Sequence, residues 1–419
     1  MVTAFKGNTM HFLPRHLTAR IASAAKHFKV ILLLGARQTG KSTLLRHLLP
    51  DAKMVVFDPI QDLYEARKDP DRFLSLFHSP LILDEVQFAP ELLASIKRHV
   101  DMNESMGQYY LTGSQNFSVL KLAAESMAGR VAIFHLNPFT HLEMVGMGQS
   151  SSWLDAYLED AHAFVRSSRE SIPSLPRLNE FLFRGTYPRA TKIPLKELET
   201  FFLSYIQTYV ERDVRLIENI SNLTQFGDFL RLAATMTAQE INASHLGREL
   251  GLSSQTARKW LNLLLYTYQW IEVMPYHGNA IKRLSDKKKG YFKDTGLACH
   301  LMRIHSPEAL VTSMKMGALF ETWVVNMIQS LFSTTASANM YQWRAHGGAE
   351  LDLLLERDGM FFPIEIKCKA HPNRSDVSSI VSFRKTYPNL KVMPGLVIHA
   401  GDDTYPLDSE TLALSWKSL

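Results

Sequence analysis

The stretch Val30-Ile-Leu-Leu-Leu-Gly35-Ala-Arg-Gln-Thr-Gly40-Lys-Ser-Thr43 decides the fold. An unbroken apolar run enters a loop punctuated by glycines, and Leu44, Leu45, Arg46, His47 and Leu48 continue as a helix. The spacing GxxxxGK[ST] between a buried strand and a helix is that of a phosphate-binding P-loop. Glycines let backbone N–H groups turn inward around an anion, and the helix N-terminus adds partial positive charge. Gly35, Ala36, Arg37, Gln38, Thr39, Gly40, Lys41, Ser42 and Thr43 are therefore the expected nucleotide-binding residues. ATP with Mg²⁺ is the expected ligand, with Lys41 reaching the β- and γ-phosphates and the Ser42 hydroxyl on the metal.

Outward from the loop, short apolar strands alternate with helical segments from residue 30 to 137. Strands are expected at Val30–Leu34, Met54–Phe57, Leu81–Leu83, Tyr109–Thr112 and Val131–Leu136, with helices starting near Lys41, Asp62, Pro90 and Phe117. Apolar runs between helices indicate strands buried on both faces, hence a parallel sheet in an α/β layer fold. Pro80-Leu-Ile-Leu-Asp84-Glu85 is a strand ending in two carboxylates. After a P-loop, Asp84 is expected to hold Mg²⁺ through water and Glu85 to act as general base on the attacking water. Thr112 or Ser114, at the end of the next strand, is the expected γ-phosphate sensor. Arg130 is a candidate arginine finger acting on a neighbouring subunit, or a plain surface arginine.

The rest of the chain divides by composition. Residues 146–178 are rich in Gly, Ser and Gln with Pro173 and Pro176, which predicts a linker or loosely packed insertion. Residues 179–305 read as mostly helical. There Ala243–Gly251 forms a short amphipathic helix, Leu252-Ser-Ser254 a turn, and the next helix places Ala257, Trp260, Leu261, Leu264 and Tyr268 on one face. Its other face shows Gln255, Arg258, Lys259 and Asn262, a helix-turn-helix pattern. Ile271–Tyr276 and Gly290–Phe292 are expected wing strands, with Lys282, Arg283 and Lys287–Lys289 as phosphate-neutralising cations. A packing module touching only protein is the alternative.

Residues 306–419 read as a small α/β domain. Leu351–Glu356 and Met360–Cys368 flank Asp358-Gly359, the favoured two-residue hairpin turn. Counting outward sets Asp352 opposite Glu365, with Lys367 on the same face. Like charges across a sheet are destabilising, and a bound divalent cation is a simple reason to hold them there. Asp352, Glu365 and Lys367 form a D…ExK pattern, two Mg²⁺ ligands and a lysine to orient a water, with Glu321 as a further carboxylate. A solvated edge hairpin is the alternative.

Length sets two or three domains for 419 residues, so domains are expected at 1–145, 179–305 and 306–419. The formal charge of +5 permits nucleic-acid binding, with DNA favoured. Two distant cysteines, Cys299 and Cys368, exclude a disulfide framework and point to a reducing cytoplasm. No apolar run approaches the length of about 18 residues that a membrane span needs.

The chain resembles the prokaryotic AAA-type ATP-binding proteins that carry a C-terminal domain of unknown function 4143. The resemblance rests on Gly35–Leu45, Leu83–Gln87, Leu111–Ser114, Met127–Arg130, Arg184–Pro188, Tyr209–Asp213, Tyr291–Leu297, Gly317–Glu321 and the Glu350-Leu-Asp352 and Glu365-Ile-Lys367 set. Gly185-Thr186 departs from the family's usual pair of glycines. The resemblance implies a P-loop ATPase core, a helical and winged-helix middle domain and a restriction-endonuclease-like end domain. The leading expectation is an ATPase, possible homo-oligomer, that gates a nuclease-like, nucleic-acid-binding domain. The alternative is a nucleotide-dependent switch or scaffold with an inactive nuclease fold, and a transcriptional regulator ranks third.

Overall fold

The computed structural model describes residues 12–114, 127–167, 171–172, 175–209, 214, 220, 222–279, 287–332, 338–345 and 347–419. The helix expected from Phe117 and the cations Lys282 and Arg283 lie outside the described residues.

Five parallel strands form the first sheet: β1 (Val30–Leu34), β2 (Lys53–Val56), β3 (Leu81–Asp84), β4 (Tyr109–Gly113) and β5 (Val131–His135), in the order β2-β3-β4-β1-β5. The apolar run of β1 is explained by its two covered faces. Val30, Leu32 and Leu34 pack into one core with Leu83, Val86 and Ile96. Ile31 and Leu33 point into the other, with Leu44, Leu45 and Ile82. Alternation of side chains along a strand makes this two-sided burial automatic. Because β4 lies between β3 and β1, the ends of these three strands come together at one edge.

The second sheet is mixed. β6 (Gln239–Glu240), β7 (Trp270–Pro275), β8 (Lys289–Phe292), β9 (Asn339–Arg344), β10 (Glu350–Arg357), β11 (Met360–Lys367), β12 (Lys391–Val392), β13 (Gly395–His399), β14 (Tyr405–Asp408) and β15 (Thr411–Ser415) join in one ten-stranded array. β7 runs parallel to β9, pairing Met274 with Tyr341. The boundary expected between residues 305 and 306 is therefore crossed by a continuous sheet.

The expected helices Ala243–Glu249 and Ser254–Tyr266 form, with Asn242 and Ser253 as caps and Ala257, Trp260, Leu261 and Leu264 buried. Tyr268 follows the second helix in the left-handed region. β7 and β8 are the antiparallel strands beyond it.

The stretch 146–178 is not a loose linker, which corrects the compositional reading. It contains helices Trp153–Glu159 and Ala161–Arg166, with Trp153, Leu154, Tyr157, Leu158 and Phe164 buried. Tyr157 Oη donates to Pro394 O at 2.7 Å, tying the insertion to the C-terminal sheet. One core runs from these helices through Phe181 and Trp323 to Trp416. Among the described residues, no helix is long and apolar enough to cross a membrane.

Candidate nucleotide site and a second carboxylate centre

The P-loop follows β1 into the helix Lys41–Leu48. Three residues of the loop take positive φ: Gly35 at 152°, Gln38 at 61° and Gly40 at 93°. A Cβ on Gly35 would stand 2.2 Å from Leu136 O, so the close approach of the backbone just after β5 requires glycine there. Lys41 Nζ donates to Gly35 O and Ala36 O, both at 2.9 Å, which holds the ammonium against the loop. Thr39 Oγ1 donates to Ala36 O. Thr43 is exposed on the helix's first turn.

Ser42 Oγ donates to both oxygens of Asp84, at 2.9 and 2.8 Å. Thr112 Oγ1 donates to Asp84 Oδ1 and accepts the Glu85 N–H at 3.1 Å. One hydroxyl thus orients both acidic residues at the end of β3. Glu85 sits in the left-handed region, φ 58°, which turns its side chain away from the strand direction. Gln87 Nε2 donates to Glu85 Oε2 at 2.5 Å and to Ser114 Oγ at 3.1 Å. Burial works to raise the Glu85 carboxyl, but the Lys41 charge, the Gln87 hydrogen bond and the Arg37 charge outweigh it. The group is held below the usual carboxylate range.

A cleft of about 730 Å³ opens over the loop, lined by Phe12, Arg15, Lys41, Glu85, Pro188 and Arg189 among others. Four of these, Phe12, Arg15, Pro188 and Arg189, were not legible as site residues. Arg15 is buried, donates to Thr39 O at 2.8 Å and Asn137 O at 2.6 Å, and pairs with Glu143 at 3.1 Å. Pro188 and Arg189 follow Thr186, whose N–H and hydroxyl donate to Asp294 Oδ2 at 2.7 and 3.1 Å. Gly185 has φ 71°, and a Cβ there would lie 2.4 Å from Asp294 Oδ1. The quoted Arg184–Pro188 and Tyr291–Leu297 stretches carry a hint of this clamp, although neither shows its partner.

Arg130 does not join its own chain's site. It precedes β5, where Val131 pairs with Val30, at the far end of β1 from the P-loop. Along a strand of that length the separation is about 16 Å. Its guanidinium pairs instead with Asp101.

The C-terminal hairpin forms in the expected register. Asp358 and Gly359 both take positive φ, 53° and 74°, as a type I′ turn demands. Arg357 pairs with Met360 and Leu353 with Ile364, so one further step sets Asp352 against Glu365. Both are buried, and Glu321 from the helix Met316–Phe332 approaches the same centre. A side-chain cation stands beside two of the expected metal ligands, Glu321 and Asp352. Lys289, expected on the wing surface, is buried, with Nζ 2.7 Å from Glu321 Oε1, 3.1 Å from Glu350 Oε1 and 3.8 Å from Asp352 Oδ1. Burial opposes its charge, but these three carboxylates hold the ammonium above the ordinary lysine range.

Further hydrogen bonds fix these carboxylates. Asp352 Oδ2 accepts the Ile366 N–H at 2.9 Å, and Tyr291 Oη donates to Glu321 Oε1 at 2.8 Å. Glu365 accepts from Lys367 and from Ser379 Oγ, the latter at 2.6 Å. Burial, with the Asp352 charge next, pushes the Glu321 and Glu365 carboxyls up. Among the described residues, no set of three His, Cys, Asp or Glu side chains is arranged to hold a metal ion. Lys288, the neighbouring cation, pairs with Glu272 at 2.8 Å.

Comparisons with known proteins match three parts of the chain. The family model described as an AAA domain matches residues 27–145, and two domains of unknown function match residues 175–308 (DUF8612) and 316–419 (DUF4143). The uncharacterized proteins Rv2008c of Mycobacterium tuberculosis and Mb2031c of Mycobacterium bovis are each 28% identical over 406 residues, spanning 96% of this chain and 83% of theirs. Among solved structures, the Walker-type ATPase PABY2304 of Pyrococcus abyssi overlaps 69% of this chain and 95% of its own, at 18% identity and a TM-score of 0.41. A RuvB variant of Thermotoga maritima overlaps 61% and 87%, at 16% identity and a TM-score of 0.29. Overlaps this loose assign no fold. The chain carries an AAA domain with its P-loop at the edge of a parallel sheet, followed by a domain of unknown function 4143.

Proposed function

We propose that this chain binds ATP with Mg²⁺ in the P-loop cleft, hydrolyses it, and works as a nucleotide-dependent switch. The observation that carries the reading is the Ser42–Asp84–Thr112 cluster beside Lys41 and Glu85. A hydroxyl and a carboxylate in contact are hard oxygen donors of the kind Mg²⁺ takes alongside phosphate oxygens. Ser42 and Asp84 are thus the residues to hold the metal, which when bound neutralises phosphate charge.

The chain's own groups do the rest. The backbone N–H groups of residues 35–43 and the helix N-terminus cradle phosphates. Lys41 exchanges its loop carbonyls for phosphate oxygens. Thr112 keeps Asp84 oriented. Glu85, ionised and steadied by Gln87, accepts a proton from the attacking water, while Ser114 relays the position of Gln87. The general-base role suits a carboxylate that stays charged at neutral pH.

The helix pair 243–266 with β7 and β8 is read as a winged helix offering Gln255 and Lys259 to DNA. Both side chains are exposed. A gated nuclease-like domain is the second reading, favoured by the register that faces Asp352 with Glu365. Lys289 in that centre supports the switch instead.

Equilibrium ATP binding in Mg²⁺ tests the proposal. Lys41→Ala should weaken binding at least about tenfold, the loss of one charge-assisted contact. Unchanged affinity in that variant would place nucleotide elsewhere.

A further inference from the structure

The acidic residues of the C-terminal hairpin converge on a point that belongs to another part of the chain. Lys289 lies on β8, which pairs through β7 to the C-terminal sheet, and its side chain reaches Glu321, Glu350 and Asp352. These three carboxylates come from the helix Met316–Phe332 and from β10. The geometry points to Lys289 as the resident cation of this centre, occupying the position a divalent metal would need and excluding one from it.

Three observations carry the inference. An ammonium offers three donors, and three carboxylates surround it within 3.8 Å. Oxygen ligands approach a Mg²⁺ or Mn²⁺ ion to about 2.0–2.2 Å, so a metal sharing these oxygens would stand beside a second buried positive charge. Asp352 Oδ2 is engaged as well, by the Ile366 N–H, and the facing Glu365 is held by Lys367 and Ser379. Lys289 therefore neutralises the acids and locks the β7–β8 hairpin to the C-terminal sheet. Metal and lysine are alternatives at one site. The inference stands apart from the ATP reading, since none of these groups lines the nucleotide cleft.

The test is Mn²⁺ binding to the nucleotide-free full chain, followed by the electron paramagnetic resonance of free Mn²⁺. Wild type and Asp352→Asn should bind equally, because neither holds metal in the centre. Lys289→Ala should gain a Mn²⁺ site that Lys289→Ala/Asp352→Asn lacks, and Mn²⁺ should raise the melting temperature of the single variant but not of the double. Lys289→Arg, which keeps a cation, should gain no site. Wild-type Mn²⁺ binding that Asp352→Asn abolishes would overturn the inference, whatever the folding of the alanine variant. A folded Lys289→Ala that gains no site would overturn it too. Any metal bound at Ser42 and Asp84 is common to all variants and cancels.

Discussion

At the residue scale, the groups proposed to meet phosphate and metal, Lys41 and Ser42, differ from those that hold Asp84 and Glu85 in place. Thr112 and Gln87 belong to the second kind. Thr112 spends its hydroxyl on Asp84 and on the Glu85 N–H, and Gln87 bridges Glu85 to Ser114. Gln87→Ala should therefore lower the ATP turnover number about tenfold, the effect of roughly 1.4 kcal/mol on a barrier, with ATP affinity little changed. Steady-state kinetics beside a binding titration separate the two quantities. An equal loss in affinity would make Gln87 a binding residue. Lys41, Ser42, Asp84 and Glu85 were legible because strand, loop and helix signals surround them. Arg15 was not, since its three partners lie on separate segments brought together only by folding. Lys289 was misread because a run of three lysines does not say which faces they take. Lys288, just before β8, pairs with Glu272, whereas Lys289, the first residue of the strand, lies among acids.

At the element scale, the parallel strands were readable because burial on both faces leaves apolar runs. The segment 146–178 was not, because its polar start masks the apolar spacing of the two helices after it. Ser152 is there as a helix cap, its Oγ accepting the Leu154 N–H at 3.1 Å. Beyond it, Trp153, Leu154, Tyr157 and Leu158 recur at helical spacing. The short helix His141–Met144 offers a test of how this region is held. His141 is fully buried, bonds Leu419 O at 2.5 Å, and packs edge-on against Trp323. Burial lowers its pKa to about 4 against an ordinary 6.5. The unfolded chain takes this proton first, so the stabilisation is whole above pH 6.5 and is lost as pH falls toward 4. Between pH 7 and 5 the wild type should lose about 2 kcal/mol more stability than His141→Gln, by urea denaturation. Parallel pH profiles for the two proteins would contradict the buried neutral histidine.

At the scale of the whole molecule, the nucleotide cleft and the C-terminal half meet through residues 185–189. Pro188 and Arg189 line the cleft, and Thr186 is clamped to Asp294, which also caps the helix Thr295–Leu301. Gly185 makes that clamp possible, with φ 71° and ψ −170°, a conformation essentially confined to glycine. Gly185→Ala should cost on the order of 3 kcal/mol and also weaken ATP binding, because the strained segment carries two cleft residues. Denaturant midpoints and a nucleotide titration would show both effects. Full stability in this variant would remove the clamp from the account. A sheet that continues from β8 to β14 then places the hairpin, its lysine and the carboxylate centre in one mechanical unit.

The most direct measurement is phosphate release alongside ATP binding for wild type and Glu85→Gln, in Mg²⁺. The account predicts that the glutamine variant binds ATP as the wild type does and releases phosphate at least about a hundredfold more slowly, the lower range for loss of a general base. Normal phosphate release from Glu85→Gln, or no ATP binding by the wild type, would contradict it.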